Sequence, residues 1–168
     1  MDAAALKALQ APFKQQYREA PETAVITLKA EGRIGADLTC AVATGKALVE
    51  AGLHPASGGS GLSACSGDML LQALVACAGV SLNAVATGLG LKLRDARVRA
   101  EGELDMRGTL GVAKDAAVGF RAIRLDFEVD GDLTQDELSL LLKLTERYCV
   151  VYQTLRNPPA IAISSRRG

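Results

Sequence analysis

Two cysteines stand in settings that could support sulfur chemistry. Cys77 lies inside the apolar run Met69-Leu70-Leu71-Gln72-Ala73-Leu74-Val75-Ala76-Cys77-Ala78-Gly79-Val80, and Cys149 lies in Arg147-Tyr148-Cys149-Val150-Val151-Tyr152-Gln153. A thiol attacks only as thiolate, which requires an electropositive, partly polar pocket or a helix N-terminus. One cysteine on a buried helix and another at an element junction suggest an attacking sulfur and a resolving sulfur. The competing assignment is packing, since free cysteine is among the most buried residue types. Cys40 falls in an alternating segment and is assigned to packing, whereas Cys65, just before the apolar run, is an alternative partner for an oxidised Cys77. His54 is the only histidine, which excludes a multi-histidine metal site, and the cysteines lack the close pairs of a zinc knuckle. His54 precedes Pro55 in the glycine-rich stretch Leu53–Gly61 and reads as a loop residue; no lysine follows the glycines, so the stretch is not a phosphate loop.

These residues need elements to hold them. The stretch Met69–Leu89 carries no charge and predicts a helix over about 67–88, with Ser66 as N-cap, Asp68 in the first turn and Gly88 or Gly90 ending it. Such a helix is apolar on every side, so other elements or a second subunit must surround it. Gln72, Ser81, Asn83 and Thr87, and the lack of a basic flank, favour a buried helix over a membrane span. Asp2–Tyr17 reads as an amphipathic helix closed by Pro21. Short alternating runs predict strands at Ala24–Ala30, Leu38–Ala43 and Ala47–Glu50, then at Lys92–Asp105 and Ala122–Val129. Thr134 and Glu137 have capping-box spacing and open a helix ending near Tyr148; Ile161–Ser164, after Pro158-Pro159, is expected to be a closing strand. Strands, helix, strands, helix and strand in that order define an α+β domain.

A chain of 168 residues, 49% hydrophobic, fits one domain with its own core. Basic and acidic side chains balance at 19 each without long runs of one sign, which argues against a nucleic-acid partner. The N-terminal Met1-Asp2-Ala3-Ala4-Ala5-Leu6-Lys7 lacks a secretory pattern, and four cysteines without framework spacing do not suggest a disulfide scaffold. The expectation is a cytoplasmic protein with reduced thiols.

The run Cys65-Ser66-Gly67-Asp68-Met69-Leu70-Leu71-Gln72-Ala73-Leu74-Val75-Ala76-Cys77 resembles the entry into the central helix of the OsmC/Ohr family, where a short turn and an acidic residue precede a Leu-rich stretch ending in Ala/Gly-Cys. Cys149-Val150-Val151-Tyr152-Gln153-Thr154-Leu155 is similar to that family's second motif, Cys-Pro-Val-x-x-Thr/Ser-Leu, with Val150 in place of the proline. The element order agrees over roughly 24–165, leaving residues 1–20 as an N-terminal helical extension of a single OsmC-like domain over 21–168. The resemblance implies antiparallel sheets around a long buried central helix, in an intertwined homodimer with active sites at its interface.

It also implies thiol-dependent reduction of organic hydroperoxides. Cys77 would attack the outer peroxide oxygen and become a sulfenic acid, Cys149 would condense with it, and an external dithiol reductant would restore both thiols, with no other cofactor. In the family an arginine lowers the pKa of the attacking cysteine, and an acidic residue holds that arginine. Here the acid is assigned to Asp68, shorter than the family's glutamate, and the arginine to Arg33, with Arg147 as the alternative. The altered acid and the lost proline motivate a second reading, a non-catalytic OsmC-like domain that binds a small apolar ligand at the dimer interface.

Overall fold

The structure is a computed structural model and describes residues 3–34, 40–42, 51–62 and 64–167. Helix α1 (Ala3–Glu19) leads through a 3-10 turn at Pro21–Ala24 into strands β1 (Val25–Ile34) and β2 (Cys40–Val42). A second 3-10 turn, Pro55–Ser57, precedes the long helix α2 (Ser66–Gly88). Strand β3 (Leu93–Asp105), the short helix α3 (Met106–Thr109), strand β4 (Phe120–Gly131) and helices α4 (Gln135–Tyr148) and α5 (Val150–Arg156) follow. The four strands form one antiparallel sheet in the order β2-β1-β3-β4, so the molecule is a mixed α+β structure.

Strand alternation gives the sheet two chemically opposite faces. Ala96, Val98 and Ala100 are buried on the inner face, and their partners across β4 are Val129, Phe127 and Leu125. Helix α2 lies on this face: Leu71, Leu74, Val75 and Ala78 pack with Val98 and Ala100, while Leu82 and Ala86 pack with Ala96 and with Leu141 of α4. Each fully buried leucine contributes about 1.5–3 kcal/mol relative to exposure. The opposite side of α2 is less covered, with Met69, Leu70, Val80 and Leu89 exposed. The outer sheet face is an array of ion pairs: Arg33–Asp95 at 2.5 Å, Arg97–Glu31 at 3.0 Å, Arg99–Glu128 at 3.2 Å and Arg124–Glu103 at 2.6 Å. A third cluster, Tyr17, Ala24, Met106 and Leu110, attaches α1 beneath α3.

The ends of α2 are set locally. Cys65, not Ser66, occupies the N-cap, and it does so without a side-chain bond, so Asp68 falls at the third helical position. At the other end Gly90 adopts φ +70°, and the Leu91 and Gly90 N–H groups donate to the carbonyls of Ala86 (2.9 Å) and Thr87 (3.0 Å), a Schellman closure. The capping box expected at Thr134 and Glu137 is present, with both reciprocal bonds.

Two elements differ from the sequence reading. Helix α5 was not anticipated, because a seven-residue segment shows too little periodicity to separate it from a loop. The closing strand expected at Ile161–Ser164 is not formed: among the described residues the segment joins no ladder, and Ile161 and Ile163 are 84% and 93% exposed. Alternation gives a segment strand character, but a strand exists only where a neighbour accepts its backbone bonds. The strand expected at Ala47–Glu50 lies outside the described residues.

The inner face tolerates no extra atom at Gly102. A Cβ built there meets the Phe120 ring at 2.4 Å, so the ring would have to move. Gly102→Ala is expected to destabilise the protein by about 1–3 kcal/mol, read as a lower urea midpoint.

Candidate functional site

Helix α2 carries Cys77 half-buried against α5, whose N-cap is Cys149. Cys77 packs against the buried cluster that contains Cys149, close enough to influence its ionisation. Cys149 is 1% exposed, and its Sγ accepts the N–H of Tyr152 at 3.4 Å. A cysteine at this position replaces the usual serine or aspartate cap, so the sulfur's location is fixed by the start of the helix. Burial pushes the Cys149 thiol up from its ordinary 9.0 to about 11; the Tyr152 N–H opposes this, and the adjacent Cys77 adds to it. Cys149 is therefore a protonated thiol at neutral pH.

Cys65 does not join this pair. It sits twelve residues before Cys77 on one helix, about 18 Å along the axis, whereas a disulfide needs Cα atoms within about 7 Å. The alternative of Cys65 resolving Cys77 within one chain is excluded on that ground.

Asp68 lies within electrostatic reach of His54. Desolvation holds the Asp68 carboxyl above its ordinary value, and the charge of His54 works in the opposite direction. His54 is held by the backbone of its own turn, where Nδ1 accepts the Ala56 N–H at 3.0 Å. The Tyr17 hydroxyl donates to the Ala56 carbonyl at 2.6 Å, so α1 braces the turn that carries His54. Asp68 precedes Cys77 by nine residues, about 13 Å along the helix. The two pairs thus share α2 without touching.

The structure brings Cys77 to Cys149 and Asp68 to His54, and it sets Arg33 apart from both. Arg33 lies on the outer face of β1, where its Nε and Nη2 both bond Asp95, while α2 covers the inner face. Position parity along β1, rather than loop proximity, decides this placement. Arg147 ends α4, with its guanidinium 5.6 Å from the ring centroid of Tyr148. Between α2, β4 and α5 lies a cavity of about 320 Å³ whose walls include Leu74, Phe120, Ile123, Leu125, Tyr152 and Leu155. Sequence reasoning missed this cavity because its residues come from three separate elements.

Two titrations follow. The unfolded Cys149 thiol ionises near 9.0 and the folded one near 11. Its protonated state therefore contributes stability that is complete below pH 9 and is lost as pH rises toward 11. Urea midpoints of the reduced protein from pH 8 to 11 should fall more steeply than those of Cys149→Ser; Tyr17, also raised by burial, acts equally in both. For Asp68, carboxyl titration by NMR should give a pKa above 3.8, and His54→Ala should raise it further by removing the opposing charge.

Comparison with known proteins gives the same architecture. An OsmC-like hydroperoxide resistance protein from Jannaschia sp. CCS1 superposes with a TM-score of 0.61 at 15% identity, covering 86% of this chain and 95% of its own. An OsmC-like protein from Mycoplasma pneumoniae gives 0.56 at 15% identity, covering 80% of this chain and 86% of its own. No curated protein sequence matches. The family model described as OsmC-like protein matches residues 58–164. That span takes in α2 and α5 with their facing thiols, and the chain belongs to the OsmC-like protein family.

Proposed function

We propose that this protein is a thiol-dependent peroxidase for organic hydroperoxides, with Cys77 attacking and Cys149 resolving. The observation that supports this reading is that Cys77 of α2 packs against the buried cluster containing Cys149 at the start of α5, near enough to raise the Cys149 pKa. The superposition on a protein named for hydroperoxide resistance supports it. The Cys77 thiolate takes the outer oxygen of the peroxide, the O–O bond breaks, and the leaving alkoxide collects a proton to become an alcohol. The Cys149 thiol attacks the sulfenic sulfur, its proton leaves with the displaced hydroxide as water, and a Cys77–Cys149 disulfide remains. An external dithiol returns both sulfurs to thiols by exchange.

The high pKa of Cys149 suits its role. A resting thiolate at both positions would place two negative charges together in an apolar site, and protonation of one avoids this. The acid of this reading is Asp68, which has His54 within electrostatic reach, while Arg33 is committed to Asp95. Assembly as a homodimer completes the picture. Helices α2 and α4 leave an apolar groove of about 440 Å³, with Val80, Val85, Leu89, Leu144 and Tyr148 among its walls, and a second copy of α2 supplies apolar surface of the same kind.

Intact mass and free-thiol count, taken before and after one equivalent of cumene hydroperoxide, test the reading. The wild type is expected to lose two thiols through a Cys77–Cys149 disulfide that a dithiol reverses. Cys149→Ser should stop at the oxygen adduct, and Cys77→Ser should not react. Unchanged thiols in the wild type would remove the peroxidase and leave a ligand-binding domain.

A further inference from the structure

We propose that the turn Pro55–Ser57 is a pH-sensitive latch for helix α1. A neutral His54 ring keeps α1 docked, and protonation of that ring on acidification releases α1 and uncovers the apolar surface beneath it. The latch does not depend on the peroxidase reading.

Ala56 is gripped from two sides. Its N–H donates to Nδ1 of His54, the N-cap of the turn, at 3.0 Å, and its carbonyl accepts the Tyr17 hydroxyl at 2.6 Å. The first bond exists only with a neutral ring, because both nitrogens of an imidazolium carry protons and neither can accept. The second bond ties α1 to the turn. Tyr17 is buried and shares one apolar cluster with Phe13, Ala24, Ala56, Met106 and Leu110. A single small residue thus couples a titratable ring to the docking of a 17-residue helix.

Protonation at Nδ1 would set two N–H donors against each other, so the ring must turn away. The Ala56 N–H then loses its acceptor inside a half-buried turn, which is costly. The remaining bonds of the turn run from the Ser57 N–H (2.8 Å), the Ser57 hydroxyl (2.9 Å) and the Gly59 N–H (3.1 Å) to the His54 carbonyl. None of them involves the ring, and they keep the turn closed. The adjustment therefore falls on Ala56: moving it toward water satisfies its N–H and withdraws its carbonyl from Tyr17.

The charges around the turn favour this second arrangement once the ring is charged. Helix α2 carries Asp68, whose carboxylate attracts an imidazolium. Burial holds the Asp68 carboxyl above its ordinary value, and a charged ring turned toward it offsets that burial. Helix α3 carries Arg107, which is bound to Asp105 at 2.6 Å. Helix α1 brings the Tyr17 hydroxyl, with Lys14 half-exposed one turn earlier and Arg18 and Glu19 exposed to solvent. His54 is itself half-buried, so solvent protons reach it. Two states follow, a neutral ring on Ala56 with α1 docked and a charged ring toward Asp68 with α1 free. The second belongs to the interval in which the ring has taken a proton and Asp68 has kept its charge, which is the pattern of a histidine switch.

Hydrogen exchange of the full-length protein, corrected for intrinsic rates, tests the latch at about pH 7.5 and about pH 5.5. On acidification the wild type is expected to lose protection in α1 by about three-fold or more, while α4 keeps its own. His54→Asn, whose amide oxygen caps the same N–H without titrating, should hold α1 at both pH values. His54→Ala should leave α1 loose at both, and Asp68→Asn should move the loss to lower pH. His54 is the only histidine, so its ring resonances are unambiguous, and in the wild type the Ala56 amide shift should follow the ring titration with one midpoint. Protection of α1 that ignores pH, or that falls in His54→Asn as it does in the wild type, overturns the proposal. An Ala56 amide that does not follow the ring overturns it as well, and that measurement decides the matter if the variants do not fold.

Discussion

Helix α2 sets the terms for everything around it. It is apolar around its whole circumference, and a soluble arrangement must cover it from several directions. One side is met by the inner sheet face, and part of the remainder by α4 and α5. The packing that buries Leu74 and Ala78 also places Cys77 against the cluster that holds Cys149, so the nearness of the two thiols is a by-product of burying a helix. The same burial withdraws water from Cys149 and keeps it protonated. Nearness of the sulfurs and the resistance of Cys149 to ionisation therefore come from one cause, the packing of α2 against α5.

The charges follow a separate logic. A carboxylate in the first turn of α2 favours the positive end of the helix dipole, yet partial burial raises its pKa, and the nearby histidine offsets part of that cost. The histidine turn is in turn fixed by Tyr17 from α1, so a helix remote from the sulfurs contributes to the electrostatics at the start of α2. About 13 Å of helix separates this pair from the thiols. In a single chain the two pairs are linked only by the rigidity of the rod that carries both.

Much of this was legible in the sequence for identifiable reasons. The extent of α2, the alternation of β3 and β4 and the capping box of α4 rest on patterns many residues long or on a specific reciprocal motif. What was not legible depended on single positions or on neighbours. Arg33 was assigned as the arginine that the family resemblance implies, but parity along β1 directs it to the face of the sheet away from α2, where it bonds Asp95. The bulge at Arg121 leaves no mark in composition, and α5 is too short for its periodicity to be seen. Ile161–Ser164 has strand chemistry without a strand's neighbour. Cys77 and Cys149 were singled out by their settings, a buried helix and an element junction, and by two motifs resembling one family; no spacing along the chain gives the distance between them.

The outer face of the sheet has a consequence for how the molecule meets others. Its arginines and carboxylates are matched side by side, so at short range each charge is already satisfied, and beyond a Debye length the face is close to neutral. A passing protein or polyanion gains little by landing there, because it would have to break existing pairs and dehydrate them. Non-productive encounters on that side are short-lived. Collisions are thereby sorted by orientation: the half of the surface that bears helices retains contacts, and the half that bears the sheet returns them to solution.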